Sequence, residues 1–192
     1  MKRFLLILIF IISTIISQAQ EHTKFKGISL DNTLDFFIEQ LKQKGYTLDD
    51  IGEKGVTLKG DFAGVKDCTI VAYYTCKSKK IWKVVVCLPT QEWWPSLKKE
   101  YFHYKDLYSE KYGEPESYEF FSPPYSDGDG NEMKALWFDK CHYMSIYKTK
   151  TGCIALNLMW RGYLSISYED SLNLELKQIE DEEKLREDRE DI

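Results

Sequence analysis

The chain has 192 residues, 43% of them hydrophobic and 15% aromatic, which suffices for one domain or two small halves sharing a core. The formal net charge of −5 is unevenly spread: residues 169–192 hold eleven acidic and four basic side chains, whereas 20–168 hold twenty of each. A near-neutral body with scattered lysines excludes the concentrated positive face that a nucleic-acid partner requires.

Lys2 and Arg3 precede an apolar run from Phe4 to Ile16, and small residues at Ser17 and Ala19 mark a cleavage position before Gln20. The run is shorter than the ~20 residues needed to span a bilayer. Residues 1–19 therefore read as an export signal, with no membrane span after its removal. No cysteine adjoins the cut, so the expected product is periplasmic or secreted and not lipid-anchored. The remainder divides into a body over 20–170, with halves at about 24–90 and 91–170, and an acidic tail over 171–192.

Lys24 to Leu30 reads as an extended lead-in. Asp31 or Asn32 can cap a helix running to about Lys44, with Leu34, Phe37, Ile38 and Leu41 on its buried stripe and Gly45 at its end. Strands are predicted at Tyr46–Leu48 weakly, then at Val56–Lys59, Cys68–Thr75 and Ile81–Leu88. Pairing Tyr74 with Val84 gathers Ile70, Ala72, Val86 and Leu88 with them on the more apolar face. A second helix is centred on Leu97–Tyr112, with Leu97, Tyr101, Tyr104 and Tyr108 on one side. Gly113 closes it, and Pro115 cannot continue it.

Ser117–Phe121 is strand material, and Ser122–Asn131 is a turn-rich loop. Met133–Phe138, Cys141–Tyr147, Cys153–Trp160 and Leu164–Tyr168 complete the predicted strands. Pairing Ile146 with Ile154 puts His142, Met144, Ile146, Leu156 and Leu158 on the core face. Tyr143, Tyr147, Asn157 and Met159 then occupy the opposite face. Pairing Trp160 with Leu164 adds Ile166 and Tyr168 to the core. Asp170 or Ser171 caps a charged last helix that docks through Leu172, Leu176 and Ile179 and frays beyond Glu180. The order implies an α+β fold: an antiparallel sheet with two helices packed on one face, two similarly laid-out halves, and a charged C-terminal helix. Such a sheet leaves its second face uncovered.

The phrases Phe25–Leu30, Leu97–Tyr101, Lys111–Pro115 and Ile166–Asp170 resemble those of small exported bacterial proteins of unknown function. The element order is similar to the tandem helix-plus-sheet layout of the beta-lactamase inhibitor protein. That resemblance implies an open sheet face used to bind a protein. It carries over no inhibitory residue, since no binding-loop motif matches.

Reactive groups form no recognisable constellation. The strand reading keeps the five cysteines from pairing within either hairpin, because a disulfide needs Cα atoms within ~7 Å. A link between the halves stays open. Cys141 and His142 are neighbours on one strand and so face opposite ways, which argues against a nucleophile–base pair. Asp127, Asp129 and Asn131 alternate like the start of a calcium loop, but Glu132 and Phe138 stand where such a loop needs glycine and glutamate. Zinc-ligand spacings, phosphate loops and nucleotide fingerprints do not occur, so no metal and no cofactor is expected. The aromatic residues stand out instead, with thirteen tyrosines and five tryptophans. The expectation is a non-enzymatic exported binding module for a protein or envelope component. Its contacts would be Tyr143, Tyr147, Asn157 and Met159 on the open face, with Trp93 and Trp94 as a further contact or a cap over the core edge. The alternative is a small secreted hydrolase with an unrecognised site.

Overall fold

The first two helices end where their sequences say they should, and their apolar stripes fix which side of the sheet is covered. In a computed structural model that describes residues 21–190, α1 spans Leu34–Gln43 and buries Phe37, Ile38 and Leu41. Its cap is Thr33, whose hydroxyl accepts the Phe36 N–H at 3.4 Å, one residue beyond the predicted Asn32. Helix α2 spans Trp94–Tyr112, carries Pro95 in its first turn, and buries Trp94, Leu97, Tyr101 and Tyr104. Gly113 ends it at φ +84°, a conformation in which a Cβ would be strained. The expected export signal lies outside the described residues.

Ten strands follow in chain order. β1 (Lys24–Phe25) and β2 (Ile28–Ser29) form a two-stranded ribbon. The others are β3 (Thr47–Ile51), β4 (Gly55–Phe62), β5 (Val65–Tyr74), β6 (Ile81–Cys87), β7 (Glu116–Phe121), β8 (Cys141–Lys148), β9 (Gly152–Met159) and β10 (Tyr163–Asp170). These eight make one antiparallel sheet in the order β3-β4-β5-β6-β10-β9-β8-β7. Each half of the chain supplies one long helix and four strands, and the last strand of each half lies at the centre. The fold is α+β, as the sequence implies.

The β5–β6 and β9–β10 hairpins keep their predicted faces although each register differs by two residues: Ala72 pairs with Val84, and Leu158 with Leu164. A two-residue slide preserves the face because side chains alternate with period two. The β8–β9 hairpin differs by one residue. Tyr147 pairs with Ile154, so Cys141, Tyr143, Ser145 and Tyr147 face the core beside Leu156 and Leu158. His142, Met144 and Ile146 lie half-buried on the open face instead.

The reason is visible around α2. The Tyr147 hydroxyl donates to the Lys105 carbonyl at 2.8 Å and lies 3.2 Å from the Ser109 hydroxyl. Tyr101 and Ser145 share a hydrogen bond of 2.6 Å. Tyr143 packs edge-on against Trp94, Tyr101, Phe102 and Phe121. A buried tyrosine gains more apolar burial than Ile or Met when its hydroxyl finds a partner. Burial raises the phenol pKa of both Tyr143 and Tyr147. Gly152 at the head of β9 allows this hairpin to meet β10, since a Cβ there would lie 1.8 Å from the Glu169 carbonyl oxygen.

Two further elements depart from the predicted pattern. Met133–Phe138 is not a strand: Glu132–Trp137 forms a short helix, α3. Its alternating Met133, Ala135 and Trp137 mimic a strand, but Glu, Met, Lys, Ala and Leu in succession are strong helix formers, and propensity prevails. Helix α4 runs unbroken from Ser171 to Glu190, so the tail is helical well beyond Glu180. Asp170 caps it by accepting the Asn173 N–H at 2.9 Å. Its buried residues are Asn173 and Glu180; Leu172 and Leu176 are half-buried, and Ile179 is exposed. Asn173 donates to the carbonyls of Leu30 and Ile81. Glu180 receives the Lys77 and Ser78 N–H groups, pinning the β5–β6 turn. Polar anchors hold this helix where it meets unpaired backbone groups at Leu30, at the start of β6 and in the β5–β6 turn.

Candidate functional site

The open face carries an aromatic-lined groove at the β7–β9 end. This groove of about 370 Å³ is lined, among others, by Tyr118 and Phe120 of β7, His142, Tyr143 and Met144 of β8, Asn157 and Met159 of β9, and Trp160 in the turn after β9. Local pattern explains each placement. Tyr118 and Phe120 alternate with Ser117 and Glu119, so they share the face that Met144 and His142 take from the slipped register. Phe120 lies 4.8 Å from the His142 ring. Trp160 meets Trp137 of α3 edge-on at 4.9 Å, and the Arg161 guanidinium sits 4.5 Å over its ring.

Four large aromatic residues around this groove remain open to solvent: Tyr118 at 41%, Phe120 at 49%, Trp137 at 60% and Trp160 at 43%. Contiguous exposure of this kind marks an interaction site more often than scattered single residues do. The polar rim is sparse. The Tyr118 hydroxyl donates to Glu116, which raises the tyrosine pKa and, together with Lys148, lowers that of the carboxylate.

The residues expected to form the site separate into two sets. Asn157 and Met159 lie on the groove wall, as their strand phase requires. Tyr143 and Tyr147 are 5% and 1% exposed and belong to the core; Tyr143 still lines the groove, with almost none of its surface accessible, and Tyr147 is not in the lining. Trp94 is also buried; its indole N–H donates to Asp127 at 3.1 Å, and its ring packs on Tyr143. Trp93, at 67% exposure, projects into solvent at the head of α2 and is not part of the groove lining. Tyr118, Phe120, Trp137 and Trp160 replace them. The Tyr-x-Phe alternation of β7 and the helix-forming run before Trp137 were the signals for three of these placements.

The rest of the molecule offers weaker chemistry. A larger cleft of about 900 Å³ lies beside the β1–β2 ribbon, lined by His22, Lys26, Asp31, Lys111, Tyr112 and Thr151 among others. His22 is anchored: its Nδ1 donates to the fully buried Asp170 at 3.1 Å, and its Nε2 faces Asp31 at 3.8 Å. A base oriented by a carboxylate serves catalysis when its other nitrogen faces a nucleophile; here it faces a second carboxylate. Asp127 and Asp129 are spent on structure. Asp127 receives Trp94 and Lys98, and Asp129 accepts the N–H groups of Ser126 and Asn131. All five cysteines are free thiols, with Cys68 and Cys141 buried and burial pushing the Cys141 pKa up to about 12.

Among known protein families, characterised proteins and solved structures, none matches this chain. The site is therefore argued from its own geometry. Among the described residues, no helix is long and apolar enough to cross a membrane.

Proposed function

We propose that the protein is a non-enzymatic exported interaction module that receives a segment of another polypeptide on the open face of its sheet, at the β7–β9 end. The observation that carries this reading is the exposure of Tyr118, Phe120 and Trp160 along one groove, with exposed Trp137 edge-on against Trp160. Aromatic side chains supply large contact areas at low entropic cost, and they are enriched where interfaces bury their energetic centre. The basic leader and apolar run at the start of the sequence support export to the periplasm or beyond. The reading shares with the inhibitor-like layout the use of an uncovered sheet face and takes no binding residue from it.

The test compares capture from envelope extract by the wild-type protein and by a Phe120→Ala/Trp160→Ala double variant. Both side chains are about half exposed, so the variant is expected to keep its fold, checked by circular dichroism and thermal melting. A polypeptide enriched by the wild type and lost with the variant supports the groove. Equal capture by both refutes it.

A further inference from the structure

The sheet has two outer edges, and they differ. At β3, the register shifts between Leu48 and Asp50, Asp49 pairs with Lys59, and two successive acidic residues occupy the strand. A bulge and charges of this kind blunt an edge against pairing. At β7, the pairing with β8 is regular over all six residues, with no bulge and no proline inside the strand. Glu116 to Phe120 are all exposed. The Glu119 side chain is only 25% exposed, so much of the residue's exposure lies in its main chain.

The hydrogen-bond phase shows which groups are free to pair. The Ser122 N–H bonds the Lys140 carbonyl at 2.7 Å, and Phe121 stands opposite Cys141 in the same register. In an antiparallel ladder, residues alternate between bonding inward and pointing both backbone groups outward. Glu116, Tyr118 and Phe120 therefore bond to β8, whereas Ser117, Glu119 and Phe121 turn their N–H and C=O groups away from the sheet. Tyr118 and Phe120 meanwhile project onto the open face as the outer wall of the groove.

We infer that the outer edge of β7 binds its partner by strand addition: an extended segment of a different polypeptide extends the sheet as a ninth strand and lays alternate side chains against Tyr118 and Phe120. This rests on the groove reading and specifies its mode. A second copy of the chain fits poorly. An antiparallel self-pairing that uses all three outward residues sets Glu119 opposite Glu119 of the other copy, and like charges in direct opposition are unfavourable. Sliding by two residues sets Phe121 against Pro115, which has no N–H to give. The fitting partner has apolar residues toward Tyr118 and Phe120. Opposite Glu119 it has a basic or neutral residue, which shares the carboxylate already held by Lys105.

The probe is a short blocked peptide of alternating valine and lysine, titrated into isotopically labelled protein and followed by amide resonances and hydrogen exchange. Its counterpart is N-methylated at each lysine, which keeps the side chains and removes the N–H groups that would face β7. Strand addition predicts shifts and new exchange protection at Ser117, Glu119 and Phe121. Binding should weaken about tenfold or more with the methylated peptide. The Ser117→Pro variant should weaken it similarly, since proline there deletes an outward N–H and leaves the backbone bonds to β8 in place. It also removes the Ser117 hydroxyl from Ser145, which keeps its bond with Tyr101, and unchanged resonances in β9 and β10 show that the fold persists. Equal binding of both peptides, with shifts confined to groove side chains, overturns strand addition and leaves the groove reading standing. No shift with either peptide overturns strand addition as well, and the capture experiment then decides the groove separately. A concentration-dependent dimer in sedimentation that Ser117→Pro abolishes would make a second copy the occupant and overturn the inference.

Discussion

The phase of β8 decides which residues the open face presents, and two adjacent substitutions measure it. Tyr147 is 1% exposed, packs against Tyr108 and Tyr112, and donates its hydroxyl to the Lys105 carbonyl. Tyr147→Ala empties a ring-sized volume under α2 and should cost about 3–5 kcal/mol, as truncation of a buried aromatic does. Ile146, its neighbour, is half-buried on the open face. Ile146→Ala removes smaller, partly wetted surface and should cost about 1–2 kcal/mol, since full burial would set the upper part of the aliphatic range. The assay is urea unfolding followed by tryptophan fluorescence, with stability taken at constant slope. For a domain of this size, the ~2 kcal/mol difference between the variants corresponds to about 4–8 °C in Tm. If Ile146→Ala proves the more destabilising, the one-residue slip is wrong, and Met144 and His142 leave the groove with it.

Other outcomes follow from the polar anchors and the thiols. Asp170 is fully buried and receives the N–H groups of Thr23 and Asn173, so Asp170→Ala should cost about 3 kcal/mol by removing a helix cap and orphaning a second buried donor; amide exchange at Thr23 and Asn173 should accelerate first. Burial alone would raise the Glu180 pKa, but hydrogen bonds from the Ser78 hydroxyl and the Lys77 and Ser78 N–H groups outweigh it and hold it below 4.5. A depressed folded pKa means that this clamp stabilises the protein fully above the ordinary glutamate range, and that the contribution is lost as pH falls through the folded value. Glu180→Gln should therefore flatten the acid limb of a stability profile measured from pH about 6 to about 3. Under native conditions at mildly alkaline pH, iodoacetamide should label Cys68 and Cys141 far more slowly than Cys76, with all five reacting once the chain is unfolded, as peptide mass mapping will read.

The sequence by itself determined whatever depends on one segment's own pattern. The stripe of α1 and the core faces of β5, β6, β9 and β10 follow from periodicity that is strongly one-sided; the helix end follows from Gly113 and Pro115, and the cap of α4 is narrowed to Asp170 or Ser171. For those strands, a two-residue error in pairing left the buried residues on their proper face; Trp160, expected opposite Leu164 on the core side, is the exception and lies 43% exposed in the turn after β9. Asn157 and Met159 were legible as open-face residues for the same reason.

Only the tertiary structure decided β8. Its two sides are both apolar enough to be core, one built of tyrosines and the other of Met144 and Ile146, and no local pattern ranks them. The ranking came from α2, a helix some forty residues earlier, which offers the Lys105 carbonyl, the Ser109 hydroxyl and the rings of Trp94 and Tyr101 to the tyrosine side. A hydroxyl can be buried only where a distant element satisfies it. That condition turned Tyr147 inward, ring packing on α2 took Tyr143 with it, and together they left Met144 outside and assembled the groove from β7, β8, β9 and the Trp160 turn.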